Sequence, residues 1–226
     1  MPSLRSPHES RVHVCRRSPI GQLALAAAAL IGLIAPALAD EPVAPEEMCF
    51  QGRTAEAWSQ DLASKDRVTR LLAIRALATF GDRATPHFIE ALGHDDPSVR
   101  YWAAMSLAHD PHAAKKAQSE LMVRLVNDDV GVVRVAAARG VAAAGDDEQA
   151  VRALIESLKS SEPMVRHHAT LALDDLGEAA RPAIPALQEV LKSDGWYAAR
   201  VSEFILAKFK VPPSPAKAKR NKKKRG

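Results

Sequence analysis

An arginine recurs along this chain at a regular interval, each time within a run rich in alanine, valine and leucine. The stretch DPSVRYWAAMSL, residues 96–107, is the clearest copy. Successive arginines are 30, 34, 32 and 34 residues apart, a period typical of stacked two-helix repeats. The repeat arginines are Arg70, Arg100, Arg134, Arg166 and Arg200.

Local signals predict two helices in each repeat, helix A and helix B, with the arginine on helix B. Segments 150–160 and 182–193 carry apolar residues at i, i+3, i+4 and i+7, which is the spacing of one helix face. Pro97 and Pro163 fall in the first turn of helix B, where a missing N–H leaves no hydrogen bond unmade. Glycines stand where a helix end favours a left-handed residue, at Gly81, Gly145 and Gly177.

One face of helix B is predicted to be buried. Positions −1, +3 and +7 relative to the arginine lie on the same side, and in the clearest copy they hold Val99, Ala103 and Leu107. Alanine allows neighbouring helices to approach closely, while valine and leucine fill the remaining space. A single helical pair cannot bury this face, so the neighbouring repeat supplies the partner.

The motif D-P-x-V-R-x-x-A-A-x-x-L of residues 96–107, with its weaker copies, resembles the HEAT-like repeat family, including the short repeats of the phycobilin-lyase type. The resemblance covers residues 54–209 and implies architecture rather than a particular activity. It implies an all-α fold: a right-handed α-solenoid of about five two-helix repeats, with the B helices on the concave surface. We therefore assign residues 54–210 to the solenoid.

Acidic residues precede four of the arginines by four or five positions. We predict that each arginine contacts carboxylates in its own or an adjacent A–B turn, and so sets the registration between repeats. Exposed ion pairs contribute only about 0–1 kcal/mol each, so burial is expected to supply the stability. The role is structural rather than catalytic. The predicted ladder comprises Arg70, Asp96, Arg100, Asp129, Arg134, Glu162 and Arg166, with Asp66 before its first arginine.

The two end repeats differ from the others. Thr54 is a predicted N-cap, and Trp58 and Leu62 are predicted core residues of the first repeat. In the last repeat Glu203 replaces the alanine at +3. Two interpretations remain open: a capping repeat with one solvated face, or a register that slips by one residue.

The N-terminus predicts export. A basic segment precedes the uncharged run 21–39, which ends in Ala37-Leu38-Ala39, so residues 1–39 are interpreted as a secretory signal peptide. The alternative is a transmembrane helix, since the run is nearly long enough to span a bilayer. Cleavage would leave residues 40–53 as a linker in a periplasmic or extracellular protein, with Cys49 as an inert free thiol or, alternatively, an intermolecular bridge.

The C-terminal segment 211–226 is rich in proline and basic residues, a composition that favours disorder. It could bind nucleic acid, an anionic polysaccharide or an anionic lipid surface, or act only as a solubilising terminus. The residues of this possible polyanion contact are Lys217, Lys219, Arg220, Lys222, Lys223, Lys224 and Arg225.

No catalytic constellation is evident from the sequence. His94 and His109 suggest a metal cluster, but helix B separates them by roughly 20 Å, and ligands must lie about 2 Å from a shared metal. Paired acids such as Asp174-Asp175 fall at turns or helix ends, where capping and solubility explain them. We therefore predict no enzyme activity, no cofactor and no metal.

Positions +1, +2 and +5 of helix B point away from the buried face, and tyrosine, tryptophan and arginine are frequent hot-spot residues of interfaces. The sequence thus predicts a monomeric, non-catalytic scaffold that binds a protein or peptide on the concave B-helix face. Alternatives are a lyase-like enzyme or enzyme subunit with a small ligand in the groove, polyanion binding through the tail, or aromatic residues that only cover the joint between repeats. The predicted contact residues are Arg75, Tyr101, Trp102, Met105, Arg139, His167 and His168.

Overall fold

The computed structural model describes residues 13–15, 47–192 and 196–211. These residues form two compact units that divide between Ala84 and Thr85. In the first unit, strands β1 (His13–Cys15) and β2 (Glu47–Cys49) pair antiparallel. They precede helices α1 (Ala55–Gln60) and α2 (Arg67–Leu77), each followed by a short 3₁₀ segment, Asp61–Ala63 and Ala78–Ala84 respectively.

The second unit contains four consecutive two-helix repeats. Its elements are α3 (Thr85–Ala91), α4 (Pro97–Ala108), α5 (Pro111–Lys116), α6 (Gln118–Asn127), α7 (Gly131–Ala143), α8 (Asp147–Ser157), α9 (Pro163–Leu176), a 3₁₀ segment (Gly177–Ala183), α10 (Ile184–Val190) and α11 (Trp196–Lys208). The B helices are α4, α7, α9 and α11, and they pack side by side in chain order. The A helix of the second repeat is divided at Ala117 into α5 and α6. With α1 and α2 as one further helical pair, the predicted all-α fold of about five two-helix repeats is confirmed.

The buried face of helix B lies where the sequence predicts it. Val99, Ala103 and Leu107 of α4 are completely buried, and the corresponding positions of α7 and α9 are equally inaccessible. Full burial of one valine or leucine side chain stabilises a fold by about 1.5–3 kcal/mol. The stack is therefore held mainly by apolar contacts between repeats.

Gly145 shows how a repeat ends its B helix. Its φ of 97° lies in the region that favours glycine. Its N–H donates to the carbonyl of Ala142 at 2.8 Å, and the N–H of Asp146 donates to the carbonyl of Val141 at 3.1 Å. This pair of bonds is the Schellman motif, which satisfies carbonyls left open at the end of α7.

Four repeat arginines share one contact that the sequence analysis did not predict. In each case Nη1 donates to the backbone carbonyls six and five residues earlier, in the A–B turn of the same repeat. These carbonyls would otherwise need water, so the arginine closes its own turn. The bonds run from Arg70 to Ser64 and Lys65, from Arg100 to His94 and Asp95, from Arg134 to Asp128 and Asp129, and from Arg166 to Ser160 and Ser161.

Arg100 also bridges to the following repeat. Its Nε donates to Asp128 Oδ2 at 2.8 Å, and its Nη2 donates to Asp128 Oδ1 at 3.0 Å and to Asp129 Oδ1 at 2.7 Å. Asp129 belongs to the predicted ladder and Asp128 does not, although the Asp128 carboxylate is the one that is completely buried. Two of the other predicted ladder acids act as helix caps, because Asp66 accepts from Thr69 N–H and Asp96 accepts from Ser98 N–H.

The register of the last repeat slips by one residue. Ala198, Ser202 and Leu206 are buried in α11, whereas Arg200 and Glu203 are exposed. The residue that corresponds to the arginine of the other repeats is therefore Ala199. Of the two interpretations left open by the sequence, the slipped register describes α11. In the first repeat the prediction holds, since Thr54 caps α1 and Trp58 and Leu62 are buried.

The prediction that Cys49 is a free thiol is wrong for this chain. Cys49 is disulfide-bonded. It lies on β2, and the second cysteine of the sequence, Cys15, ends the paired strand β1. Removal of residues 1–39 as a signal peptide would leave Cys49 without an intramolecular partner, because Cys15 lies in that segment.

Two predicted segments lie almost wholly outside the described residues. Of the predicted signal peptide, 1–39, the structure describes only residues 13–15, and of the basic tail, 211–226, only Val211. Within the described parts of the chain, no helix has the length and apolar character needed to cross a bilayer.

Candidate functional site

The B helices of the second unit bring together side chains from different repeats. The small residues Val135 and Ala136 of α7 are buried. Because these short side chains project little from α7, the Tyr101 side chain of α4 extends across α7 and contacts His168 of α9. The Tyr101 hydroxyl oxygen lies 3.4 Å from His168 Nδ1, and the two rings stand edge to face with centroids 5.8 Å apart.

This contact is one step in a continuous row of rings. Trp102 stands edge-on to Tyr101 at 5.5 Å between centroids. On α9, His168 neighbours His167 at 6.1 Å, and His167 in turn neighbours Tyr197 of α11 at 5.7 Å. The edge-to-face pair of Tyr101 and Trp102 contributes about 0.5–1.5 kcal/mol beyond its buried area. We call these five residues the aromatic strip.

The environment of the strip shifts two ionisation equilibria. Burial raises the pKa of Tyr101, although the nearby Arg139 guanidinium acts in the opposite direction. Burial, together with the positive charges of His167 and Arg139, lowers the pKa of His168 below its ordinary value of 6.5. Both shifts favour neutral side chains at pH 7, a tyrosine phenol and an uncharged imidazole.

The lowered pKa of His168 predicts a loss of stability in mild acid. Above about pH 6.5 the imidazole is neutral in both the folded and the unfolded chain. As the pH falls below that value the unfolded chain binds the proton first, so the free energy of unfolding decreases until the pH reaches the lowered pKa. Thermal unfolding measured between pH 8 and 5 should show a steeper decline for the wild type than for His168→Gln.

His112→Gln is the matched control for this measurement, because His112 lies on the exposed surface of α5. Its decline should follow that of the wild type. Equal slopes for the wild type and His168→Gln would contradict the prediction.

A pocket of about 220 Å³ adjoins the strip where α4, α7 and α9 end. Arg139 and Asp175 both line it and form an ion pair with each other, with 27% and 58% of their side chains exposed. Among the other lining residues are Met105, Ala142, Ala172 and Leu176. The pocket is thus mostly apolar and carries one paired cation.

The structure places six of the seven predicted contact residues on this part of the second unit. Tyr101, Trp102, His167 and His168 belong to the strip, and Met105 and Arg139 line the pocket. Arg75 lies on the exposed surface of α2, in the first unit.

Three large exposed apolar side chains on the same helices were not predicted. Met164 and Tyr197 occupy position −2 of helix B, and Phe204 occupies position +5 of α11, where positions are counted with the slipped register. Position −2 lies three or four residues before +1 and +2, so the helical period could have identified it. Leu171, at the predicted position +5 of α9, is exposed as well.

The histidine that suggested a metal site has a structural contact. His94 Nδ1 accepts the N–H of Asp96 at 2.8 Å, and the His94 carbonyl accepts from Arg100. Among the residues that the structure describes, no three histidine, cysteine or acidic side chains are grouped closely enough to hold a metal ion.

Comparison with known proteins agrees with this architecture. A family model described as HEAT repeats matches residues 55–121 and 118–206. The complex of CpcE and CpcF of phycocyanin lyase from Nostoc sp. PCC7120 is a structural neighbour with 21% sequence identity and a TM-score of 0.51; the match covers 68% of this chain and 96% of that one. A crystal structure of an engineered protein shares 24% identity over 69% of this chain and 79% of its own, with a TM-score of 0.46.

No curated protein matches the chain significantly. At these identities the likeness to the solved structures concerns the fold alone. The matched repeats, however, extend over most of the chain and coincide with the helical pairs α1 to α11. The chain therefore belongs to the HEAT repeat family.

Proposed function

We propose that this protein is an exported, non-catalytic scaffold that binds a protein or peptide on the concave face formed by its B helices. The observation that carries the proposal is Trp102, whose side chain remains 40% exposed although it packs edge-on against Tyr101. A large apolar ring held in place and still open to solvent is suited to contact a partner, since its rotamer is already fixed before binding.

The surroundings of Trp102 support the same function. The exposed side chains of Met164, Leu171, Tyr197 and Phe204 enlarge the apolar surface on α9 and α11. Lys208 lies over the Phe204 ring at 4.3 Å and bonds to Asp174 at 2.6 Å, so charged groups border this surface. An apolar centre with a polar border is the usual anatomy of a protein interface. Export is supported by the signal-peptide pattern of residues 1–39.

Replacing Trp102 with alanine is expected to abolish most partner recovery in a pull-down with the full chain as bait. The truncation removes a central aromatic contact, and central aromatic residues contribute about 2 kcal/mol or more to many interfaces. Captured proteins would be quantified by mass spectrometry.

Val126→Ala is the matched control, because Val126 is a large exposed apolar residue on the A helix α6. It should leave recovery unchanged. Partners retained equally by the wild type and by Trp102→Ala would remove the aromatic strip from consideration as the binding surface.

A second candidate function is that of an enzyme subunit that holds a small ligand in the groove. The half-buried His168, with its lowered pKa and its contact to Tyr101, favours this alternative. The fold is also similar to that of the complex of CpcE and CpcF of phycocyanin lyase. Native mass spectrometry of the purified full chain distinguishes the candidates, because a retained small molecule supports the second and a retained polypeptide supports the first.

A further inference from the structure

The pocket beside the aromatic strip has the size of a side-chain site. Pockets that enclose drug-sized ligands span about 300–1,000 Å³. At about 220 Å³ this pocket is smaller, and its lining is mostly apolar. It therefore matches a single aliphatic side chain better than a whole small-molecule ligand.

The charges next to the pocket favour an anion. Arg139 lies close enough to Tyr101 and His168 to influence the ionisation of both. His109 also lines the pocket, and the five residues of the strip include no acid. The Arg139 side chain is only partly exposed, so its charge is screened less than that of a fully solvated arginine.

The present counter-ion of Arg139 is able to leave. Asp175 exposes 58% of its side chain and stands at the end of α9, so it would return to water without disturbing the core. A carboxylate delivered by a partner can take its place on the guanidinium, and a guanidinium–carboxylate pair is directional as well as attractive.

We infer that the partner segment is an acidic, apolar peptide: one aliphatic side chain enters the pocket, and an adjacent carboxylate binds Arg139 in place of Asp175. This inference rests on the proposed function, since it specifies the chemistry of the partner. The opposing contribution is the partial negative charge at the ends of α4, α7 and α9, which favours cations. A cationic peptide is therefore the necessary comparison.

The test uses three blocked peptides, acetyl-Gly-Leu-Asp-Gly-amide and its asparagine and lysine counterparts, titrated into the ¹⁵N-labelled full chain and followed by NMR. The aspartate peptide should bind about fivefold more tightly than the asparagine peptide, as expected for one partly exposed ionic contact. It should also bind more tightly than the lysine peptide. The largest shifts should occur at the amides of Ala142 and Ala172, which line the pocket.

Three variants separate the contributions. Arg139→Gln should reduce the aspartate-to-asparagine ratio to about one, whereas Arg152→Gln should preserve it, because Arg152 is an exposed arginine paired with Glu148 on the A helix α8. Asp175→Asn should tighten binding of the aspartate peptide, since the competing carboxylate is gone.

The inference is overturned if the aspartate and asparagine peptides bind equally, if the lysine peptide binds most tightly, or if no peptide shifts the pocket amides. These outcomes are distinct from a failure of the proposed function. If partner recovery depends on Trp102 while all peptides bind equally, the proposed binding face is supported and the carboxylate specificity is contradicted. If partner recovery does not depend on Trp102 while binding of the aspartate peptide depends on Arg139, the carboxylate site is supported and the proposed binding face is contradicted.

Discussion

Replacing Asp128 with alanine is expected to lower the free energy of unfolding by about 3 kcal/mol, because it leaves the buried Arg100 guanidinium without its main counter-ion. The Asp128 carboxylate is completely buried and accepts two bonds from Arg100 and one from the Val130 N–H. Burial raises the pKa of Asp128, but the bonds from Arg100 and Val130 outweigh it, and the pKa is lowered overall. Urea unfolding followed by circular dichroism measures the loss.

Asp129→Ala is the matched control for this prediction. Asp129 also bonds to Arg100, but 83% of its side chain is exposed, so the loss should stay within about 1 kcal/mol. Asp128→Asn, which keeps the shape and removes the charge, should fall between the two alanine variants. The lowered pKa means that the contribution of Asp128 is present above about pH 3.9 and is lost as the pH falls through the lowered value. If Asp128→Ala and Asp129→Ala cost the same, the buried bridge is not a major source of stability.

Gly140 is the second position where a small change should have a large effect. A Cβ atom at Gly140 would lie 2.7 and 2.8 Å from the two Cδ atoms of Leu121 and 3.3 Å from its Cγ. Leu121 of α6 is completely buried, so it cannot move away without displacing its neighbours. Gly140→Ala should therefore destabilise by about 1–3 kcal/mol through overpacking, although alanine alone favours a helix by about 1 kcal/mol.

A double-mutant cycle makes this prediction specific. Leu121→Ala alone should cost about 2–5 kcal/mol because it opens a cavity. In the double variant the new methyl group occupies part of that cavity, so the combined loss should be smaller than the sum by about 1 kcal/mol or more. The prediction is contradicted if the losses in unfolding free energy of the two single variants add exactly in the double variant, or if Gly140→Ala alone is stabilising. Either result would show that a methyl group at residue 140 fits between α6 and α7.

The sequence was sufficient for the helices and for the buried faces of the B helices before α11, because these follow from the repeated arginine; in α11 the buried face is displaced by one residue. It was insufficient for the contacts of the arginines. Their most regular partners are backbone carbonyls, which carry no residue-specific signal. An adjacent A–B turn was predicted as one source of carboxylates, but the position of an acid in that turn does not show whether Asp128 or Asp129 is the buried partner of Arg100. The Asp128-Asp129 doublet in the A–B turn was the available clue.

The candidate site was predictable as a face but not as a set of contacts. Position +1 and position +2 are adjacent on one helix, and nothing in the pattern indicates that Tyr101 meets His168 across an intervening helix. That contact depends on the small size of the Val135 and Ala136 side chains, which lie on the intervening helix α7. Phe204 was missed because the register changes by one residue in α11, and the pocket between three helix ends becomes visible only when those helices are placed together.

The arginine bonds to its own turn have a consequence for how such a chain can change length. In four repeats the donor and both acceptors lie within seven consecutive residues, for example His94 to Arg100. A gene segment that encodes one helical pair would thus contain the arginine and both of its acceptor carbonyls, so duplication or deletion of the segment leaves these hydrogen bonds complete. The number of repeats can then vary during evolution without changes in the turns, and mainly the first and last repeats need polar residues on the face that they expose to water.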